Sequence, residues 1–261
     1  PELATKDMFL ADDGTVDKKR ATQGILSIGV PGTVYGMWEV HQKFGSLPWD
    51  QLLAPAIKLA EDGFLVSPFM ADALNERYDK LSGYKNFKRI FYSDHPVQMH
   101  QRLKQESLAK TLKTISSKGV KGFYEGNVAE KIDNYMKKNG GLITKNDLKN
   151  YRPVWRDTLQ GNYHDYEIVT MGPPSSGGIH ISQMLNILEK HNLVAMGHNS
   201  PTYTALLTES MKYAYADRSE YLGDPGFFDV PVKNLISKAY AKEINKRIEL
   251  NSITPSDEIL P

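Results

Sequence analysis

Over residues 157–171 the hydrophobic period of the chain changes, and nowhere else as clearly. The stretch "DTLQGNYHDYEIVTM" sets Tyr163 and Tyr166 on either side of His164–Asp165 and ends in the β-rich run "YEIVTM". That pattern predicts a hairpin. The loop "GPPSSGG" (172–178) follows at once and opens into "IHISQMLNILEKHN" (179–192), where Ile181, Met184, Leu185 and Leu188 share one helical face. With one convincing hairpin, the remainder has to be built mainly from helices.

The punctuation elsewhere agrees. "GVPGTVYGMWEVHQKFG" (29–45) reads as a glycine loop running into a helix that carries Val34, Met37 and Trp38, with His41 a further candidate along it. In "LPWDQLLAPAIKLAEDGF" Asp50 is the expected N-cap and Gly63 the expected stop. Ser67 with Pro68 starts a helix expected to reach about Leu81, and Ser200 with Pro201 starts one expected to reach about Tyr221. Residues 82–100 read as polar and irregular. Helices are expected over 104–117 and 124–138, ended by Gly119 and Gly140–Gly141, and over 233–248. "TKND" (144–147) reads as a capping box with Asp in place of Glu. There is no internal repeat and no low-complexity tract.

Bulk properties narrow the classes. A chain of 261 residues fills one large domain or two modest ones. A net charge of +1 gives no argument for nucleic acid or an anionic membrane surface. No apolar run approaches the roughly 18–20 residues of a membrane span. Cys is absent, which excludes disulfides, thiol nucleophiles and Cys–zinc sites without fixing the compartment. The first residue is not Met, so a cut or processed N-terminus is expected, and any targeting segment would be invisible.

Two stretches invite a chemical reading. "PPSSGG" follows a strand and precedes a helix, as anion-binding loops do. It nevertheless matches neither phosphate-loop fingerprint, and no Lys or Arg lies between Met171 and Gln183. It is not G-x-S-x-G, because Pro173 and Pro174 stand two positions before Ser175 and Ser176. His180 is too close in sequence to serve obviously as a base for either serine. The favoured reading is a rigid cap: prolines fix φ, a serine satisfies helix amides, and the glycines let the backbone pack closely. A binding role and a serine nucleophile are the alternatives. "AYADRSEYLGDP" (214–225) reads as an ion-pair and turn cluster at a helix end. The alternative is an acid–base pair in which Asp217 meets Asp224 or Glu220 in a cleft. The seven His residues, including His95 and His100, form no metal signature.

The segments "GVPGTVYGMWEVHQKFGSLPWDQLLAPAIKLAEDGF", "FYEGNVAEKI", "KKNGGLITKNDLKNY", "PPSSGGIHISQMLNILE" and "YADRSEYLGDP", in this order and spacing, resemble the large subunit of bacterial γ-glutamyltranspeptidases over nearly the whole chain. The resemblance implies an α+β, mostly helical fragment of an N-terminal-nucleophile hydrolase (αββα) fold, incomplete at both ends and a single-domain piece. It implies a zymogen that cuts itself into large and small subunits. The new N-terminal Thr of the small subunit then takes the γ-glutamyl group of glutathione or a related donor and passes it to water or an amino acid. The implied partners are the small subunit, the γ-glutamyl donors and the acceptors. The implied location is periplasmic or extracellular in a bacterium.

The departures from the family pattern matter as much. The family's processing motif reads like T-T-H-Y or T-S-H-x, and neither pattern occurs here. Pro1-Glu2-Leu3-Ala4 looks like the sequence starting at the Pro of the family's R-E-x-A-P motif, which puts the carboxylate-binding Arg before residue 1. No catalytic residue can be transferred to this sequence, its substrate-binding residues stay unassigned, and neither metal nor cofactor is expected. The rivals are an acylase or capsule poly-γ-glutamate depolymerase of the same superfamily, and a non-catalytic binding or scaffold domain.

Overall fold

A computed structural model describes residues 1–93 and 95–261. The chain divides into two compact units, Pro1–Val154 and Trp155–Pro261.

The first unit begins with α1 (Lys18–Thr22) and a 3-10 turn (Ile25–Ser27), followed by α2 (Thr33–Phe44) and α3 (Trp49–Asp62). Pro48, not Asp50, holds the N-cap position of α3. Asp50 falls one step inside the first turn, where its charge still suits the helix dipole. Next come β1 (Phe64–Leu65), α4 (Pro68–Asn75), α5 (Tyr78–Leu81), α6 (Lys85–Phe91) and β2 (Arg102–Leu103). Ser67 caps α4 by accepting from the Met70 amide at 3.2 Å. The helix expected to reach Leu81 breaks after Asn75, because tertiary bonds compete for its end. The Asn75 side chain grips the Val97 backbone (3.0 and 2.8 Å), and the Tyr92 hydroxyl donates to the Leu74 carbonyl at 2.7 Å.

Residues 82–100 are not wholly irregular, since they contain α6. Its lysines hide a Phe87–Phe91 pair, ring centroids 4.5 Å apart, that packs on a core of Val66, Ala71, Tyr92, Val97 and Leu103. Asp94 lies outside the described residues. A second two-stranded ribbon, β1 with β2, pairs Phe64 with Leu103 and is too short to register as a strand in the sequence.

The unit closes with α7 (Glu106–Lys118), α8 (Lys121–Tyr124), α9 (Gly126–Asn139) and α10 (Lys145–Asn150). Gly63, Gly119 and Gly140 end α3, α7 and α9 at positive φ, as expected. The Thr144–Asp147 capping box forms in full. Its aspartate also accepts the Glu2 amide at 2.7 Å. Around it lies a second core of Tyr124, Ala129, Met136, Ile143 and Leu148.

The second unit opens with the predicted hairpin, β3 (Thr158–Tyr163) and β4 (Tyr166–Met171), in register from Thr158↔Met171 to Tyr163↔Tyr166. Then come α11 (Gly177–Leu188), α12 (Leu193–Met196), α13 (Pro201–Tyr221), α14 (Val232–Leu235) and α15 (Lys238–Asn245). The helix expected over 233–248 is two helices. Ser237 caps the second through the Tyr240 amide (3.0 Å), and Asn186 Nδ2 takes the Ile236 carbonyl at 2.7 Å. The inward face of α11 is also rotated from the expected one. Ile179, Gln183, Asn186 and Ile187 are buried; of the expected face Leu188 is buried too, Met184 and Leu185 are half-buried and Ile181 is exposed. Amide side chains with partners can occupy a core that a count of apolar residues would deny them.

Candidate functional site

The loop Gly172–Ser176 leads from β4 into α11 and reaches the end of α13, where both stretches singled out in the sequence meet. Gly178 explains how tightly the helix starts against the strand. A Cβ there would run into the Met171 carbonyl oxygen and lie 2.8 Å from Thr170 Cγ2. At Gly177 a Cβ would meet only Ser175 Oγ, at 3.6 Å. The close approach therefore needs glycine at the second position of the pair.

Neither Ser175 nor Ser176 caps α11, contrary to expectation. Ser176 holds the N-cap position with helical torsions (φ −77°, ψ −20°) and its hydroxyl takes no helix amide. The serines that do cap, Ser67, Ser200 and Ser237, have extended ψ values of 157°, 160° and 143°. An N-cap side chain reaches the amides of the first turn from that extended backbone. In the loop the turn has already begun at Ser176, which directs its oxygen elsewhere.

Ser176 and Pro174 instead line a pocket of about 250 Å³ with Arg218, Ser219, Leu222 and Gly223. The positive charge missing from the loop is thus supplied by α13. Arg218 is exposed and forms no ion pair among the described residues.

Asp217, its neighbour, is the buried centre of the cluster at 1% exposure. Its carboxylate accepts from Gln183 Nε2 on α11 and from the Tyr240 hydroxyl on α15, the latter at 2.8 Å. Burial pushes the Asp217 carboxyl above its usual range, opposed by the bonds from Tyr240 and Gln183 and by the Arg247 and His180 charges. Burial, and then hydrogen bonding to Asp217, push the Tyr240 phenol upward, which keeps it a donor.

The expected ion-pair cluster is thus corrected: a neutral amide and a phenol hold Asp217, not an arginine. Asp224 does bind a cation, Arg156 at 3.1 Å, and closes a turn by accepting the Gly226 amide at 2.9 Å. Glu220 is exposed. The inward Asp217, the turn-forming Asp224 and the solvent-facing Glu220 do not assemble an acid–base pair.

His180 is buried against Tyr215, ring centroids 5.1 Å apart, with no partner for Nε2 among the described residues. Burial lowers its pKa, the Arg218 charge adds to that, and Asp217 opposes it. Among the described residues no hydrogen bond joins it to Ser175 or Ser176, so neither hydroxyl has a base. His95 and His100 are both exposed, and His95 stacks on Tyr78 at 3.6 Å. No group of three or more His, Asp or Glu that could hold a metal occurs among the described residues. Gln183 and Tyr240 carried no sequence signal, because they lie 34 and 23 positions from Asp217. The arrangement locks α11, α13 and α15 together and leaves a cation beside a stiff loop.

Comparison with known proteins places this architecture. The family described as gamma-glutamyltranspeptidase matches residues 1–260. The glutathione hydrolase proenzyme of Escherichia coli (strain K12) is 46% identical over 100% of this chain and 45% of its own length. The acylase ACY 1 proenzyme of Pseudomonas sp. (strain V22) is 39% identical over 93% of this chain and 45% of its own. The crystal structure of Helicobacter pylori gamma-glutamyltranspeptidase superposes with a TM-score of 0.96 at 45% identity, covering 100% of this chain and 75% of that one. The chain spans about half the length of the curated relatives it matches. The fold is the expected α+β, mostly helical part of an N-terminal-nucleophile hydrolase. The chain belongs to the gamma-glutamyltranspeptidase family.

Proposed function

We propose that residues 1–261 are the large-subunit part of a self-cleaving proenzyme that hydrolyses or transfers the γ-glutamyl group of glutathione and related compounds. The nucleophile is the N-terminal Thr of the small subunit, outside this chain. Its hydroxyl is activated by its own α-amine, forms the acyl-enzyme, and loses the acyl group to water or an amino acid. The substrate-gripping Arg also lies outside residues 1–261. The contribution of this chain is the scaffold that carries the junction and holds the small subunit in register. The intact enzyme works in the periplasm or outside a bacterial cell; among the described residues no helix is long and apolar enough to cross a membrane.

The observation that carries this reading is the end-to-end match of the chain to a glutathione hydrolase proenzyme at 46% identity, over less than half of that protein. A second reading, release of other acyl groups, draws on the 39% identity to an acylase proenzyme. Expression of the open reading frame that contains residues 1–261 separates them. The proposal predicts two bands on a denaturing gel and turnover of a γ-glutamyl anilide, with none from residues 1–261 alone. Two bands with turnover of an N-acyl cephalosporin but not the anilide would favour the acylase. A single uncut, inactive band would favour a scaffold.

A further inference from the structure

Strand β3 turns alternate residues toward α11. Leu159 is buried on that face and Tyr163 is half-buried, and between them stands Gly161. Glycine weakens the interior of a strand, so its place needs a reason. Beyond its own chain neighbours, a Cβ at Gly161 would meet a single atom within 4 Å, Ser182 Oγ of α11 at 3.9 Å. Close packing therefore does not demand glycine here. Its effect is to open a cavity of about 220 Å³ between the hairpin, α11 and the start of α15.

Ser182 lines this cavity. It is 5% exposed, and its hydroxyl has no hydrogen-bond partner among the described residues. Buried hydroxyls are seldom left that way. A helical serine can turn back to the carbonyl four residues earlier, as Ser210 does to Leu206 at 2.8 Å. Ser182 does not, and its oxygen lies across from Gly161 instead.

Two more polar groups reach the same space. Asn186, one turn further along α11, donates its side-chain NH2 to the Ile236 carbonyl at 2.7 Å. That bond fixes the orientation of the amide and leaves its oxygen to accept. Lys238 Nζ donates to the Asn162 carbonyl at 2.8 Å and to Glu189 Oε2 at 2.7 Å, which uses two of its three N–H groups. No other ionisable side chain lines the cavity, and Glu189 balances the charge of Lys238, so the site favours an uncharged occupant. Ile168, Leu185 and Ile236 make up its apolar side.

We propose that this cavity is an internal hydration site. Ordered water accepts from the Ser182 hydroxyl and donates to Asn186 Oδ1, and the third N–H of Lys238 donates to it. Solvent then ties α11 to the hairpin and to α15 where no direct contact does. A buried water takes about two to four polar partners and a share of roughly 30 Å³, so the cavity has the groups for one and the room for several. Gly161 keeps that room clear, because a side chain there would project into it.

The test uses the purified full-length protein. Its crystal structure, obtained without polyols or alcohols, is expected to show a water roughly 2.6–3.2 Å from both Ser182 Oγ and Asn186 Oδ1. Ser182→Ala takes one partner from that water and is expected to lower Tm by about 1–6 °C. Absence of density at the site, or density for an organic molecule, would overturn the proposal. So would an unchanged or higher Tm for Ser182→Ala, since removal of a hydroxyl that had no partner at all relieves a cost. If the variant does not fold, the crystal structure of the unmutated protein decides alone. Neither readout depends on self-cleavage or turnover.

Discussion

Tyr240→Phe removes a single hydroxyl and leaves every apolar contact of the ring in place. That hydroxyl donates to Asp217 Oδ1 at 2.8 Å, and Asp217 is 1% exposed, so water cannot replace it. Among the described residues Gln183 would be left as the one side-chain donor to that carboxylate. Loss of a hydrogen bond to a buried charged group costs about 1.5–3 kcal/mol. At about 2–4 °C per kcal/mol for a chain of this size, Tm should fall by roughly 3–12 °C at neutral pH. The pH dependence gives a second check. The folded Asp217 carboxyl is raised above 3.8, so its stabilising contribution is fully present below that value and is lost as pH rises through the folded pKa. Removing the tyrosine donor raises it further, and the variant reaches the protonated form at milder acidity. The gap between parent and variant should therefore narrow as pH falls from neutrality. Thermal unfolding followed by far-UV circular dichroism across a pH series measures both effects. A shift under about 1 °C at neutral pH, or a gap that widens on acidification, would refute the account of this network.

Four further variants probe the local arguments. Thr144→Ala removes the acceptor for the Asp147 amide and a donor to its carboxylate, and should cost about 0.5–2 kcal/mol in denaturant unfolding. Burial pushes Asp147 upward, but bonds from Thr144 and the Glu2 amide outweigh it and hold it below 3.8; that contribution is present above 3.8 and lost as pH falls through the folded pKa, so the Thr144→Ala deficit should shrink in acid. Gly178→Ala should cost about 1–3 kcal/mol by overpacking against β4, while Gly177→Ala should be neutral or slightly stabilising, and equal effects at the two sites would contradict the close-approach argument. The double change Ser175→Ala with Ser176→Ala should leave stability within about 0.5 kcal/mol, because neither hydroxyl caps α11; a loss of 1 kcal/mol or more would restore the cap.

Local chemistry was legible in the sequence wherever it acts over a few residues. Ser67–Pro68, Ser200–Pro201, Thr144–Asp147 and Gly63 fix helix ends through their own side chains or torsions, and each stands where expected. The hairpin was legible because Tyr163 and Tyr166 flank a two-residue turn, in which His164 adopts φ +49°. What long-range bonds decide was not legible. The break after Asn75 depends on Val97 and Tyr92, and the rotation of α11 depends on Asp217 and Ile236 accepting its amide side chains. The serine cap failed for a subtler reason. Composition placed an oxygen at the right position, but the helical ψ at Ser176 turned it away. Arg218 could not be assigned to the loop from spacing, since the two lie on different elements brought together only by the fold of the second unit.

Under the proposed function this chain carries the scaffold and the junction loop of a γ-glutamyl-transferring proenzyme while the reacting hydroxyl lies elsewhere in the same polypeptide. Locating that hydroxyl tests it most directly. The full-length protein is purified, treated with a γ-glutamyl affinity label, digested and mapped by mass. The account predicts one labelled residue, a Thr at the new N-terminus of the smaller fragment and outside residues 1–261. Label on Ser175, Ser176 or any other residue of this chain would contradict it.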